Sequence, residues 1–332
     1  MKALRSHAPG GPETLVLEDL PDPLPGPGQV VVAVRACAIN FPDTLVIRDL
    51  YQFKPQRPFA PGNEIAGIIT ALGDGVAGWQ VGDRVFAMLG SGGLATHAVI
   101  DAERLFALPS GVDFATGAAL LMTYGTNYHG LVDRGQIKPG DIVLVLGAAG
   151  GVGLAAVELA KAFGARVIAA ASSPEKAALA RAAGADDTLI YGPAPFDKAQ
   201  SRALADQFKA ACGTHGADII YDTVGGDYSE PALRAIAWEG RFLVVGFPAG
   251  IARLPLNLTL LKSCDVRGVF WGGFMAREPA RFRHQVADLL AMLADGRITP
   301  RITARYPLER GAEAITALES RSALGKVVVE IG

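Results

Sequence analysis

A group of glycines is the first feature of this sequence that could do chemistry. Four glycines stand within Gly147–Gly153, between the apolar run IVLVL and an alanine-rich stretch. Gly150 and Gly153 hold the second and third positions of the G-x-G-x-x-G pattern, and Ala148 stands at the first. Such a turn from strand to helix lets the backbone approach a pyrophosphate, whose charge is met by the unpaired N–H groups of the helix N-terminus. The pattern predicts a dinucleotide site, with a turn that only packs helix on strand as the alternative. The contacts expected from this turn are those of Ala149, Gly150, Gly151 and Val152.

A second group of polar residues indicates which dinucleotide binds. A cofactor with a free ribose 2′-OH is usually held by an acidic residue about 20 residues after the glycines. In RVIAAASSPEK that place is apolar, and Ser172, Ser173 and Lys176 follow it. Hydroxyls and a cation suit a 2′-phosphate, so we predict NADPH. One of the serines can also cap a helix that begins at Pro174, and the two interpretations are compatible.

The elements that position these groups follow from the hydrophobic pattern. The first ~110 residues contain short, β-branched strands broken by turns, such as QVVVAVRACAIN and NEIAGIITALG. After KPGD, strands alternate with helices: IVLVLG, RVIAAAS, DTLI, DIIYD, GRFLVVG and DVRGVF. This alternation predicts an α/β fold with a parallel sheet covered by helices on both faces. We predict a β-rich domain over residues 1–120, a doubly wound domain over 121–268, and a segment, 269–332, that returns to the first domain.

Composition excludes several classes of function. The net charge is −2 with no run of basic residues, which argues against nucleic acid as a partner. No stretch approaches the ~20 apolar residues of a membrane span, and the start lacks the apolar core of a signal peptide. The three cysteines, Cys37, Cys212 and Cys264, are far apart and odd in number. They favour a reducing cytoplasm over a disulfide framework.

Several motifs together resemble one family. They are INFPDTL, the PGNEIAGIITALGDGVAGWQVGDRV block, AALLMTYGTNYHGL, GAAGGVG, DTVGG and the terminal GKVVVEI. Along essentially its whole length the chain resembles the zinc-free quinone oxidoreductase (zeta-crystallin-like) branch of the medium-chain dehydrogenase/reductase superfamily. The resemblance implies a GroES-like β-rich catalytic domain and a Rossmann domain that binds NADPH.

The resemblance also locates the positions at which zinc-dependent members of the superfamily bind their metal. Asn40, Asn63 and Met122 stand there, and an amide or a thioether is a poor zinc ligand. The four cysteines of the structural zinc lobe are absent from the sequence. We therefore expect no catalytic metal. Without a Lewis acid, the acceptors that take up hydride readily are quinones and C=C bonds conjugated to a carbonyl.

Other site residues are implied only by the resemblance. Asn40 corresponds to an amide near the nicotinamide ribose and the substrate, with a helix cap before Pro42 as the alternative, and Thr126 to a residue beside the nicotinamide. Tyr191 would lie near the adenine-side phosphate or in the core, and Lys326 would close over the cofactor. Further cofactor contacts are expected where strands end, at Val224, Gly246, Phe247, Phe270 and Trp271.

One departure from the family concerns a tyrosine. Many quinone reductases have a tyrosine two residues after the aspartate of N-F-x-D, but here Leu45 follows Asp43 at that spacing. Tyr51 is then the candidate for a hydroxyl over the substrate, with simple packing under a loop as the alternative. Asn40 and Tyr51 are the predicted catalytic residues, and Asp43 is expected to hold the loop.

These observations favour an NADPH-dependent, metal-free reductase of quinones or α,β-unsaturated carbonyl compounds. An enoyl-thioester reductase is an alternative, and so is a non-catalytic cofactor-binding, crystallin-like or RNA-binding protein. We predict that residues 263–273 form the last strand of the doubly wound sheet. Its apolar edge predicts a homodimer, which the resemblance also implies.

Overall fold

The computed structural model describes residues 1–320 and 324–332 and contains two compact units. The first unit comprises Met1–Met122 and Pro300–Gly332, and the second comprises Thr123–Thr299. Residues 269–299, which we predicted to return to the N-terminal domain, therefore differ from that expectation and lie in the second unit. They pack within that unit, where the ring of Trp271 lies so close to Gly125 that a Cβ added there would stand 2.5 Å from it.

Seven strands and two short helices form the N-terminal part of the first unit. They are β1 (Lys2–Arg5), β2 (Val16–Asp19), β3 (Gln29–Ile39), α1 (Phe41–Val46), β4 (Glu64–Leu72), β5 (Arg84–Met88), β6 (His97–Asp101), β7 (Leu105–Ala107) and α2 (Phe114–Ala118).

Strand β3 organises the first unit. Its residues Val30, Val32 and Val34 alternate into a buried aliphatic core, as the period of a half-buried strand requires. It pairs with β4 and with β6, both antiparallel. Shifts in the β3–β4 register interrupt the regular pairing, and α1 begins directly after β3, at Phe41. The end of β3 thus delivers Asn40 to the start of a helix.

The second unit contains six strands and eight helices among the residues that the structure describes. They are α3 (Thr126–Tyr128, flanked by π-helical turns), β8 (Ile142–Leu146), α4 (Gly151–Ala162), β9 (Arg166–Ala171), α5 (Pro174–Ala182), β10 (Asp187–Ile190), α6 (Lys198–Cys212), β11 (Ala217–Asp222), α7 (Ser229–Leu233), β12 (Ile236–Val244), α8 (Asn257–Lys262), β13 (Asp265–Gly268), α9 (Trp271–Arg277) and α10 (Pro279–Ala294).

The six strands form one parallel sheet in the order β10-β9-β8-β11-β12-β13. This is the Rossmann strand order, in which the chain reverses direction across the sheet between β8 and β11. The predicted doubly wound α/β fold is confirmed. Because all strands are parallel, their carboxyl ends lie on the same side of the sheet, and the glycine turn (Gly147–Gly153) follows β8 on that side.

The predicted last strand is shorter than expected. We assigned residues 263–273 to it, but β13 ends at Gly268 and α9 begins at Trp271. The Trp271 ring is buried and meets Phe282 edge to face, with 5.6 Å between ring centroids, so burial of this side chain favours a helix over a longer strand. β13 is nevertheless the edge of the sheet, as predicted.

The C-terminal elements complete the first unit. They are β14 (Ile302–Pro307), α11 (Gly311–Glu319) and β15 (Lys326–Glu330). β15 is antiparallel to β3, with Val327 opposite Ile39. This register sets Lys326 beside Asn40. In the described part of the chain, no helix has the length and apolar character needed to cross a membrane.

Candidate functional site

The predicted dinucleotide contacts surround the N-terminus of α4. Gly147 has φ +69°, a left-handed conformation that favours glycine, and Gly150 caps the helix. A Cβ on Gly153 would stand 2.1 Å from the carbonyl oxygen of Gly147, so close packing of helix on strand requires glycine there. At Gly150 the nearest atom would be that same oxygen, at 3.7 Å, and this side of the turn is open. Ala149 is buried, whereas Gly151 and Val152 are half-buried at the first turn of the helix. The backbone thus forms a cradle that fits a pyrophosphate.

At the end of β9, the two serines have different partners. Ser173 is the N-cap of α5, and its Oγ accepts a hydrogen bond from the backbone N–H of Lys176 at 3.3 Å. Ser172 is exposed, and its Oγ accepts from the Lys176 ammonium at 3.2 Å. The residues before them, Ala169–Ala171, are buried and apolar. A hydroxyl and a cation therefore stand together where an acidic residue would bind a ribose 2′-OH.

The loop after β11 is built around a buried aspartate. Asp222 accepts hydrogen bonds from the backbone N–H groups of Val224 and Gly225 at 2.8 and 2.9 Å, and from the hydroxyl of Ser229 at 2.5 Å. Burial raises the pKa of Asp222. These bonds fix the backbone of Val224 beside the end of β8.

The remaining predicted contacts in the second unit differ in exposure. Gly246 and Phe247 follow β12, and the Phe247 side chain is 55% exposed. Tyr191 is buried and packs on Tyr228, with ring centroids 4.8 Å apart, which matches the core alternative for this residue.

Two further predicted contacts follow β13, and a third lies in α3. Phe270 is exposed, whereas Trp271 is buried, and its Nε1 has no hydrogen-bond partner among residues 1–320 and 324–332. Thr126 is half-buried at the first position of α3.

The first unit contains a buried group of polar side chains, which we call the polar cluster. Its members are Asn40, Asp43, Asn63, Glu64 and Lys326, all at most 7% exposed. The Lys326 ammonium donates to Asn40 Oδ1 and to Glu64 Oε2, the latter at 3.1 Å. Asn40 Nδ2 donates to Glu64 Oε2 at 3.1 Å and to Asn63 Oδ1 at 3.0 Å. Three distant parts of the chain are joined by these bonds.

Glu64 is the member of the polar cluster that sequence patterns did not predict. Its second oxygen, Oε1, accepts from the backbone N–H of Met122 at 2.9 Å. The signal available was its place after Asn63 in PGNE, but nothing local shows that its partner is Lys326, 262 residues away. Lys326, predicted to close over the cofactor, is buried as the counterion of this carboxylate.

Asp43 holds the start of α1. Its carboxylate accepts hydrogen bonds from the backbone N–H of Asn40 at 2.8 Å and of Gly62 at 3.2 Å. Burial raises the pKa of Asp43 to about 7, although these bonds and the charge of Lys326 act in the opposite direction. Tyr51 is half-buried, and burial together with the negative charge of Asp43 raises the pKa of its hydroxyl.

The donor atoms of the polar cluster do not fit zinc. Amides at Asn40 and Asn63 are poor replacements for thiolate and imidazole, and Met122 is bound through its backbone N–H. Within the described ranges, no group of three or more His, Cys, Asp or Glu residues could hold a metal ion. A protein-borne cation, the Lys326 ammonium, already neutralises Glu64.

Comparisons with known proteins agree with this architecture. The model of the alcohol dehydrogenase GroES-like domain matches residues 26–110, and that of the zinc-binding dehydrogenase matches residues 151–293. The chain is 38% identical to quinone oxidoreductase-like protein 2 homolog of Nematostella vectensis over 92% of this chain and 82% of the relative. It is 33% identical to human quinone oxidoreductase over 99% of this chain and 97% of that protein.

Solved structures agree as well. Escherichia coli quinone oxidoreductase complexed with NADPH has a TM-score of 0.89 at 29% identity, covering 99% of this chain and all of that chain. A mycobacterial protein complexed with NADPH has a TM-score of 0.90 at 31% identity, with the same coverage. The predicted combination of a GroES-like domain with a Rossmann domain is confirmed, and the chain belongs to the quinone oxidoreductase family of the medium-chain dehydrogenase/reductase superfamily.

Proposed function

We propose that this protein is an NADPH-dependent, zinc-independent oxidoreductase that transfers hydride to quinones or α,β-unsaturated carbonyl compounds. The observation that carries the proposal is the cradle of the second unit: an open helix N-terminus after β8, with Ser172 and Lys176 where an acidic residue would select NADH. The NADPH complexes of the E. coli and mycobacterial relatives support the same cofactor.

Each part of this cradle would hold one part of the cofactor. The backbone N–H groups at Gly150–Val152 would bind the pyrophosphate, and Ser172 with Lys176 would bind the 2′-phosphate. Bound NADPH supplies the hydride. The protein supplies orientation and the polar groups that meet charge on the acceptor.

Apolar side chains support an apolar, planar acceptor. In the segment that carries Tyr51, Phe41 is 44% exposed, Leu50 68% and Phe53 49%. These three residues lie within one stretch of the sequence, and large exposed apolar groups are typical of a surface that binds a ligand. Tyr51 adds a hydroxyl to this surface, which we propose contacts the substrate.

The experiment is steady-state oxidation of NADPH with 9,10-phenanthrenequinone, with an enone, and with crotonyl-CoA, before and after prolonged EDTA treatment. We expect turnover with the quinone or the enone that survives chelation. Turnover confined to crotonyl-CoA would favour the enoyl-thioester alternative. Absence of turnover with all three, or loss on chelation with recovery on adding zinc, would contradict the proposal.

We further propose that the protein is a homodimer in a reducing cytoplasm. The edge strand β13 exposes Val266, and the preceding helix α8 exposes Leu260 and Leu261, with Leu256 exposed at its N-cap, so that one continuous segment presents several large apolar side chains. A two-fold axis beside β13 would bury that segment against its copy. All three cysteines are free and buried, which suits a reducing compartment.

Light scattering tests the assembly. The single chain has a mass of 34.6 kDa, and we expect about twice that value for the native protein. Leu260→Glu would bring the mass down to that of one chain. A native mass equal to that of one chain would refute the dimer.

A further inference from the structure

One amide group of the polar cluster has its hydrogen-bonding direction fixed by its neighbours. An ammonium only donates hydrogen bonds and a carboxylate only accepts them. Asn40 lies between the two, so its Oδ1 must face Lys326 and its Nδ2 must face Glu64. The atom of Asn63 that meets Asn40 Nδ2 is therefore the carbonyl oxygen, Oδ1, at 3.0 Å. The NH₂ group of Asn63 is turned the other way.

That NH₂ group is unused. No residue in 1–320 or 324–332 accepts a hydrogen bond from Asn63 Nδ2, although the backbone oxygen of Asn63 accepts from Leu89 N–H at 2.6 Å. Asn63 Nδ2 also retains some contact with solvent, unlike Trp271 Nε1, which is fully buried and has no partner in the described part of the chain. The side chain is 7% exposed, so this donor belongs to a nearly buried residue and remains open on one side.

The donor stands at the end of an ordered chain of hydrogen bonds. The Lys326 ammonium donates to the Asn40 carbonyl, and the Asn40 NH₂ group donates to the Asn63 carbonyl. The Lys326 ammonium and the Asn40 NH₂ group also donate to Glu64 Oε2, so the charge at the head of the chain is paired, and the two ions together fix the orientation of the Asn40 amide. The NH₂ group of Asn63 is thereby held in one orientation. By the family resemblance, Asn63 corresponds to a position at which zinc-dependent members of the superfamily have a metal ligand.

We propose that Asn63 is a catalytic residue whose NH₂ group donates a hydrogen bond to the carbonyl oxygen of the acceptor, and that Lys326 and Asn40 are positioning residues that orient it. This rests on the proposed function. When hydride adds to the β-carbon of an enone, an electron pair moves onto the carbonyl oxygen. The resulting enolate takes a proton from water, and the nicotinamide is left oxidised. An oriented donor lowers this barrier because it meets charge that develops only in the transition state.

The first test is Asn63→Ala, assayed with quinone and enone acceptors. We expect kcat/KM to fall about 10²-fold, as for loss of one oxyanion donor, with the Kd of NADPH unchanged. Gln80→Ala, which removes an exposed amide of the same unit, is the control and should leave both values unchanged. If the wild-type protein reduces no carbonyl acceptor, the proposed function fails and this inference with it. If the wild type is active and Asn63→Ala stays within twofold, this inference alone is overturned.

A second set of measurements separates catalysis from structure. Across ring-substituted quinones, the loss in Asn63→Ala should be largest for the least electrophilic acceptor, because that acceptor depends most on the donor. A uniform loss across the series would indicate a structural role and overturn the proposal. The paired change Glu64→Gln, Lys326→Met removes both ions that orient the Asn40 amide without leaving an unpaired ion. It should lower kcat in the wild type but have no further effect in Asn63→Ala. Additive losses would contradict the positioning of Asn63 by this chain of hydrogen bonds.

Discussion

The glycine turn of the second unit and the polar cluster of the first unit use opposite means to build a site. The glycine turn is made of backbone within seven residues, and its chemistry comes from N–H groups that a helix leaves unpaired. The polar cluster is made of side chains at the junction of β3 with α1, at the start of β4 and at the start of β15, and its chemistry comes from a buried ion pair with fixed partners. We expect the stability of the glycine turn to depend on side-chain volume and that of the polar cluster to depend on side-chain charge. Substitutions of each kind test this difference.

The largest effect is expected from Lys326→Met. It leaves the Glu64 carboxylate fully buried without its cation, which typically lowers the free energy of unfolding by about 3–5 kcal/mol. The paired variant Glu64→Gln, Lys326→Met contains no unpaired ion and should recover most of the loss. Urea unfolding of the three proteins measures this. Equal destabilisation by the single and paired changes would show that volume, not charge, governs the polar cluster.

The second effect is a pH dependence of stability. The pKa of Asp43 is about 7 in the folded protein, above its unfolded value of about 3.9, so the folded state holds a proton that the unfolded chain releases. The contribution of Asp43 to stability is therefore fully present below about pH 4 and is lost as the pH rises through 7, by about 1.4 kcal/mol per pH unit between these limits.

The variant Asp43→Asn isolates this contribution. The difference in unfolding free energy between wild type and Asp43→Asn, measured in urea from pH 4 to pH 8, should shrink with rising pH. A difference that is independent of pH would contradict the raised pKa.

The third effect concerns volume at the glycine turn. Gly153→Ala places a Cβ against the carbonyl of Gly147 and should lower the free energy of unfolding by about 1–3 kcal/mol. Gly150→Ala meets no close atom and should leave the melting temperature unchanged while weakening NADPH binding, because the methyl group points into the open cradle. Thermal unfolding and fluorescence titration give both quantities. Similar melting temperatures for the two variants would argue against the packing explanation.

The smallest effect is expected at the exposed edge of the cofactor site. Lys176→Ala should weaken NADPH binding by about 1–2 kcal/mol and leave NADH binding nearly unchanged, since only NADPH carries the 2′-phosphate. Calorimetric titration of both cofactors is the measurement. Lys209→Ala, on α6, is a control for general loss of positive charge. Equal losses for NADPH and NADH would refute the assignment.

How well the sequence predicts each region depends on how far apart in the sequence its contacting residues are. The glycine turn, its strand and its helix are encoded within one stretch, and that local pattern predicted the Rossmann domain. The polar cluster was predicted only in part: Asn40 and Lys326 were expected at the cofactor, but their mutual contact depends on the pairing of β15 with β3 across 286 residues. Trp271 shows the same limit. Its place after a strand suggested a cofactor contact, which stays a prediction, but nothing local indicated the packing on Gly125 that buries its ring.

The pairing of β15 with β3 also has a consequence for synthesis of the chain. The second unit is continuous in sequence, so the ribosome releases all of it before Pro300. The first unit begins earlier but lacks β15 until Lys326–Glu330 has emerged, and until then Glu64 has no ammonium to neutralise it. Domains usually fold from the N-terminus during translation. Here we expect the second unit to fold first and the first unit to reach its final form only after β15 has emerged.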